Sequence, residues 1–334
     1  MDSFVVPPKK ILIVHSGGIG DLLLALPAMR LFRTHFPHSI LELLGRPERL
    51  SLVAFDLHAG SVHSIDQARM AHLYQGGNIL PPSLTSFLSS FDTALVFGKT
   101  RTRALVANFR AAGVGRVLFL PSLPPEGLKI HASAYLLECL GSYAIKGENS
   151  FVPLSLPSEA VAWAGNFLEN TGLGQKEKIL LIHPGSGSPA KNWSPKNFAR
   201  VADWFSDRGK IFIIAGPAAD GVREVMGDVQ KARPLLVENL PLLHLAAIMK
   251  MGTAYLGNDS GISHLAALLG VPTTVLFGPT TPAVWKPIGP LVKIIHAGLE
   301  CCPCTEKVRS ECFRHCLENI TPGPVVESLS SLFA

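Results

Sequence analysis

The chain has 334 residues, 47% of them hydrophobic and 16% charged, so it can bury a large core and exceeds one typical domain. Its formal charge of +5 is small and diffuse, which excludes the concentrated basic surface of a nucleic-acid-binding protein and leaves a modest preference for anionic ligands. No apolar run approaches the roughly 20 residues of a membrane span, and the start MDSFVVPPKK lacks the order of a secretory signal. A cytoplasmic protein is therefore expected.

The first predicted strands are ILIVHSG (11–17), ILELLG (40–45), TALVFG (93–98) and VLFL (117–120). After ENSFVPLSLPSEA (148–160), which reads as a linker followed by a helix capped at Ser158, the rhythm resumes. ILLIHPG (179–185), IFIIAGP (211–217), AYLGND (254–259), TTVLFG (273–278) and VKIIHAG (292–298) follow. Continuous hydrophobicity in such short runs marks strands covered on both faces, hence parallel sheets with helices on each side. KILIVHSGG (10–18) and KILLIHPGS (178–186) each read as the first strand of a doubly wound unit. The fold class is α/β, with two such domains facing a cleft lined by the loops at 16–20 and 184–188, because ligands bind beyond the carboxyl ends of parallel strands.

The glycine turn HSGGIGDLLLALP (15–27) stands where a phosphate is usually cradled, yet it carries Asp21 at the start of the following helix. It is neither a G-x-x-x-x-G-K-[ST] loop nor a full G-x-G-x-x-G fingerprint, which disfavours a nicotinamide-dependent dehydrogenase. HPGSGSPAKNWSPKNFARVADW (183–204) follows the first strand of the second half with Ser186, Gly187, Ser188 and Lys191 ahead of a helix start at Ser194-Pro195. Those serines and that lysine suit phosphate oxygens; a solvated loop lysine is the other reading. In GNDSGISHLAALLG (257–270) the amides after Ser260 and Gly261 are unpaired donors at a positive helix end, with His264 one turn on. Asp259 as an ordinary N-cap explains the same pattern without a ligand.

These blocks, with YLGNDSGISHLAALLGVPTTVLFGPTTPAVWKPIG and the CCPC…C…CLENITPGPVV tail, resemble glycosyltransferase family 9, which includes the ADP-heptose:lipopolysaccharide heptosyltransferases. The resemblance spans nearly the whole chain in four ordered blocks. It implies a GT-B architecture: an acceptor-binding domain over 1–153, a nucleotide-sugar domain over 154–320, and a terminal helix at 321–334 packed back on the first domain. It implies an inverting transferase that moves a heptose from ADP-heptose to a lipopolysaccharide-core or other lipid-linked acceptor, with peripheral contact at the cytoplasmic face of the inner membrane. Asp21 matches the family's catalytic base, and Lys191 its leaving-group cation. Ser186, Gly187, Ser188, Asp259, Ser260, Gly261 and His264 match the nucleotide-diphosphate site. Asp220, with Glu224, stands where an acid could meet a ribose, and Leu240 to Leu245 would wall the base. The acceptor is expected at Gly18, Gly20, Lys99 and Arg101, the last two opening a stretch from Asp92 to Glu126 that has basic residues and no acid between those ends. The same fold with another nucleotide sugar, and a binding protein that has lost transfer, are the alternatives.

No Asp-x-Asp occurs in the chain, so positive charge must come from the protein; no metal and no cofactor are expected. Cys301, Cys302, Cys304, Cys312 and Cys316, with His315, have spacing that alone would suggest zinc or iron–sulfur. Family members carry a similar segment without a metal requirement for transfer, which implies a structural role. His15-Ser16 departs from the Lys or Arg frequent before the glycine turn in heptosyltransferases, and reads as a weaker cation.

Overall fold

A computed structural model describes residues 6–76, 79–99, 103–147, 150–173, 177–216, 221–304 and 316–333. The chain divides into two units, Met1–Ser150 and Phe151–Ala334.

In the first unit β1 (Lys10–His15) leads into α1 (Ile19–His35), then β2 (Ile40–Gly45), α2 (Pro47–Ala54) and β3 (Ser61–Ser64). A 3-10 helix at Ala68–Tyr74, α3 (Pro82–Ser89), β4 (Thr93–Gly98), α4 (Arg103–Ala111), β5 (Arg116–Pro121) and α5 (Ala132–Gly141) complete it. The strands are parallel in the order β3-β2-β1-β4-β5, and β1 pairs Leu12 with Glu42 on one side and with Ala94 on the other. Ile11, Leu12, Ile13 and Val14 are all buried because a central parallel strand has helices over both faces. One face packs Leu12 and Val14 against Met70, Leu73, Leu105 and Phe109. The strand order reverses between β1 and β4, so the loops after those two strands flank a crevice where ligands of such sheets bind.

The second unit repeats the plan. α6 (Ser158–Asn170) precedes β6 (Ile179–His183), α7 (Pro195–Phe205), β7 (Lys210–Ile214), α8 (Val222–Asp228) and β8 (Leu235–Val237). Then come α9 (Leu242–Lys250), β9 (Ala254–Asn258), α10 (Gly261–Leu268), β10 (Thr273–Phe277), α11 (Pro282–Trp285), β11 (Val292–His296) and α12 (Pro322–Phe333). The parallel order is β11-β10-β9-β6-β7-β8, so β6 occupies the central place that β1 holds in the first unit.

One expectation is corrected: the α6 N-cap is Pro157, and Ser158 is the first helical residue. The short edge strands β3 and β8, which the sequence reading did not pick out, have no long apolar run, since an edge strand needs less burial. In the second unit α12 packs against α7, β9, β10 and β11. Its apolar stripe explains why: Val325 and Leu329, four residues apart, lie fully buried beside Trp193, Phe198 and Leu256. Trp193 Nε1 donates to the Ile320 carbonyl at 2.8 Å, fixing the entry to the helix.

Candidate functional site

In the first unit the chain turns from β1 into α1 through Ser16, Gly17 and Gly18. Gly18 is the N-cap, and its N–H donates to Asp21 Oδ2 at 3.0 Å. Asp21, third residue of the helix, thus satisfies one of the amides that a helix start leaves unpaired and sits at the positive end of the dipole. Among the described residues its carboxylate makes no other hydrogen bond, and it faces a cavity of about 270 Å³. Ser16, Gly17, Tyr74, Phe97 and Lys99 share that cavity. Gly18 and Gly20 are not in its wall, since they form the cap and first turn of α1, and Arg101 lies outside the described residues.

Gly17 is required by its own neighbours. A Cβ there would lie 3.0 Å from His15 Cε1 and 3.1 Å from Asp21 Oδ2. His15 is no cation: burial, reinforced by the positive charge of Arg49, lowers its pKa to about 4, so it is neutral near pH 7. The charge beside the turn comes from Arg49 on α2, whose Nη1 donates to the Gly17 carbonyl at 2.6 Å.

In the second unit the loop after β6 is bound to the end of β9 by Asn258, which is fully buried. Its Nδ2 donates to the Pro184 carbonyl at 2.7 Å, and its Oδ1 accepts from Trp193 N at 3.0 Å. Ser186 Oγ donates to the Ser188 carbonyl at 2.7 Å, while Gly187 is exposed with open space around it. Lys191, ending a 3-10 turn at Pro189–Lys191, places Nζ 3.0 Å from Asp259 Oδ2. The same oxygen accepts from Thr280 Oγ1 at 2.7 Å. The N-cap of α10 is Ser260, whose side chain accepts from Ser263 N, which corrects the assignment of that role to Asp259. The carboxylate is instead drawn away to Lys191 and Thr280. Ser260, Gly261 and His264 stand together at the start of α10, with His264 buried. Asp220 lies outside the described residues, and Glu224 is exposed in the first turn of α8.

Cys301, Cys302, Cys304 and Cys316 are free thiols. Burial, with the neighbouring Cys316, Cys304 and Cys301, pushes the Cys302 thiol up to about 12. The segment is tied to the β10 loop by Cys304 N donating to the Pro279 carbonyl at 2.8 Å. Among the described residues no group of three or more His, Cys, Asp or Glu is arranged to hold a metal; Cys312 and His315 lie outside them.

A model of glycosyltransferase family 9 (heptosyltransferase) matches residues 150–313. The chain is 24% identical to lipooligosaccharide heptosyltransferase 2 of Campylobacter jejuni, over 94% of its own length and 96% of the relative's. The second unit thus resembles glycosyltransferase family 9 over most of its length. Its fold matches that of a family 9 glycosyltransferase from Veillonella parvula, with a TM-score of 0.80, 20% identity and 97% of each chain covered. It likewise matches the Escherichia coli ADP-heptose lipopolysaccharide heptosyltransferase II, at 0.72 and 18%, over 97% of this chain and 98% of that one. The architecture is GT-B.

Four residues of the chain carry site geometry that the sequence reading missed: Arg49, Tyr74, Asn258 and Thr280. Thr280 had a signal, because LFGPTT runs off the carboxyl end of a buried strand, where sheets of this kind bind ligands. Asn258 had the same one. Arg49 and Tyr74 reach the Asp21 loop from other elements of the first unit, and nothing local marks them.

Proposed function

We propose that the chain transfers a heptose from ADP-heptose to a lipopolysaccharide-core acceptor by a single inverting displacement, with Asp21 as base and Lys191 as the cation for the leaving diphosphate. The observation that carries this reading is the state of Asp21. A carboxylate whose one oxygen is pinned by Gly18 N–H, and which faces a cavity, is oriented for proton abstraction and is more than a helix cap. The acceptor hydroxyl attacks the anomeric carbon, forming the new C–O bond while the bond to the donor's β-phosphate oxygen breaks. The hydroxyl proton passes to Asp21, and ADP departs with the electron pair. Lys191 and the amides of Gly261 and Ile262 at the start of α10 meet the charge that develops on the diphosphate. Ser186, Gly187, Ser188, Ser260 and His264 are proposed to frame the same nucleotide, and Lys99 an anionic group of the acceptor.

Relatives named for lipooligosaccharide and ADP-heptose support the substrate classes. The absence of Asp-x-Asp, beside the Lys191 ammonium and the amides at the start of α10 as donors to a diphosphate, supports transfer without a metal, so chelation should leave the rate unchanged. No helix among the described residues is long and apolar enough to cross a membrane; a lipid-anchored acceptor would bring the enzyme into peripheral contact with the membrane. Asp21→Asn should lower kcat by about 10²–10⁴-fold and leave the Kd for ADP-heptose unchanged. Full turnover in that variant overturns the base, and donor binding with no turnover of the unsubstituted chain on any core acceptor would make it a binding protein.

A further inference from the structure

The cavity that holds Asp21 has a wall that no motif announced. Tyr74 ends the 3-10 helix at Ala68–Tyr74, and its side chain shares the cavity wall with Ser16 and Gly17 of the glycine turn. The segment beneath it is anchored twice. Met70 and Leu73 are fully buried in the core of the first unit, and the buried Asn108 directs its Nδ2 at the carbonyls of His72, Leu73 and Gln75, at 3.2, 3.0 and 3.0 Å. Tyr74 itself is left 48% exposed. A large aromatic ring, held from behind and half open to solvent at the rim of a cavity, is built to be covered by something.

The chemistry of the cavity says what. Asp21, Ser16 and Lys99 supply polar groups, while Val14, Phe97 and Leu123 supply apolar wall. At about 270 Å³ it falls just below the range of about 300–1,000 Å³ of drug-sized ligand sites, which suits one sugar ring and not an oligosaccharide. A pyranose has a face of C–H groups and a rim of hydroxyls. The negative face of an aromatic ring attracts the first, and the polar groups meet the second.

We propose that Tyr74 is the platform on which the ring of the acceptor sugar lies, so that the ring presents its hydroxyl to Asp21. The inference rests on the assignment of Asp21 as base and of the first unit as the acceptor side. The anchored segment beneath it, held by Asn108, fixes the position of the platform; the ring supplies the binding.

The test measures a deacylated, water-soluble lipopolysaccharide core oligosaccharide lacking heptose, by calorimetric Kd and by steady-state transfer, on Tyr74→Ala, Tyr74→Leu and Tyr74→Phe. Loss of the ring in Tyr74→Ala and Tyr74→Leu should weaken acceptor Kd and raise acceptor KM by about tenfold, the scale of one stacking contact, with donor KM unchanged. Tyr74→Phe should stay near the parent values. Because Tyr74→Leu keeps most of the bulk, and thermal melting checks the fold, a loss shared by Ala and Leu but not Phe belongs to the π face. An acceptor Kd unchanged in Tyr74→Ala, or Tyr74→Phe as impaired as Tyr74→Ala, overturns the platform. Asp21→Asn assayed beside them separates the two readings: turnover retained there removes the base assignment, whereas its loss with normal Tyr74→Ala binding removes the platform alone.

Discussion

The loops after β1 and β6 leave equivalent central strands of two sheets with the same order, and both strands end in a buried histidine whose pKa burial lowers, His15 and His183. Beyond that point they diverge. After β1 the helix begins within four residues and carries an acid in its first turn; after β6 the chain makes a longer serine-rich excursion to Lys191, and the first turn of α7 has no acid. One scaffold therefore presents a carboxylate in one unit and an ammonium in the other. The acid sits in the first turn of a helix, where the dipole favours it, whereas the ammonium stands ahead of the helix start at the end of a 3-10 turn.

The strongest way to break this division of labour is to neutralise each charge in turn. Asp21→Asn should abolish most turnover, as above, whereas Lys191→Met should lower kcat by about 10²–10³-fold and also weaken ADP binding, measured by calorimetry. Equal effects of the two variants on ADP affinity would erase the distinction. The closing helix of the second unit is buried along one stripe, with Val325 and Leu329 at 0% exposure. Leu329→Ala should destabilise by about 2–5 kcal/mol, read as a lowered denaturation midpoint.

A finer probe compares two glycines. Gly17→Ala forces His15 or Asp21 to move and should cut kcat about tenfold or more, as misplaced catalytic groups do; Gly227→Ala, in α8 of the second unit, meets nothing within 4 Å and should be silent in the same assay. The smallest effect is on pH. With a folded pKa of about 4 against 6.5, His15 binds its proton more readily in the unfolded chain. The stability this provides is complete above 6.5 and is lost as pH falls toward 4. His15→Gln should flatten that part of the curve of unfolding midpoint against pH, and an unaltered slope would show that His15 does not titrate there.

Strand positions and loop placement were largely legible because a parallel strand buried on both faces must be written in consecutive apolar residues, as in ILIV and ILLI, whereas the order of the strands was not. Asp21 and Lys191 were legible because each lies in the turn after such a strand. Arg49 was not, since its contact with Gly17 joins residues 32 apart, and nothing around PERLSLVA marks which arginine points back. Tyr74 was hidden for a like reason: its helix has no motif, and its position depends on Asn108 from α4. The partners of the terminal helix within the second unit were not legible either, because an apolar stripe shows that a helix is buried without showing against what.

The pairing of Lys191 with Asp259, itself braced by Thr280, bears on how the catalytic cycle closes. If Lys191 meets the diphosphate as proposed, it must share its charge with the Asp259 carboxylate. A departing ADP would then have an internal competitor for its cation, which would hasten product release at some expense of donor affinity. Asp259→Asn, with that competitor gone, should bind ADP more tightly and show stronger product inhibition; the acid in the nucleotide loop acts as a release spring for the spent nucleotide.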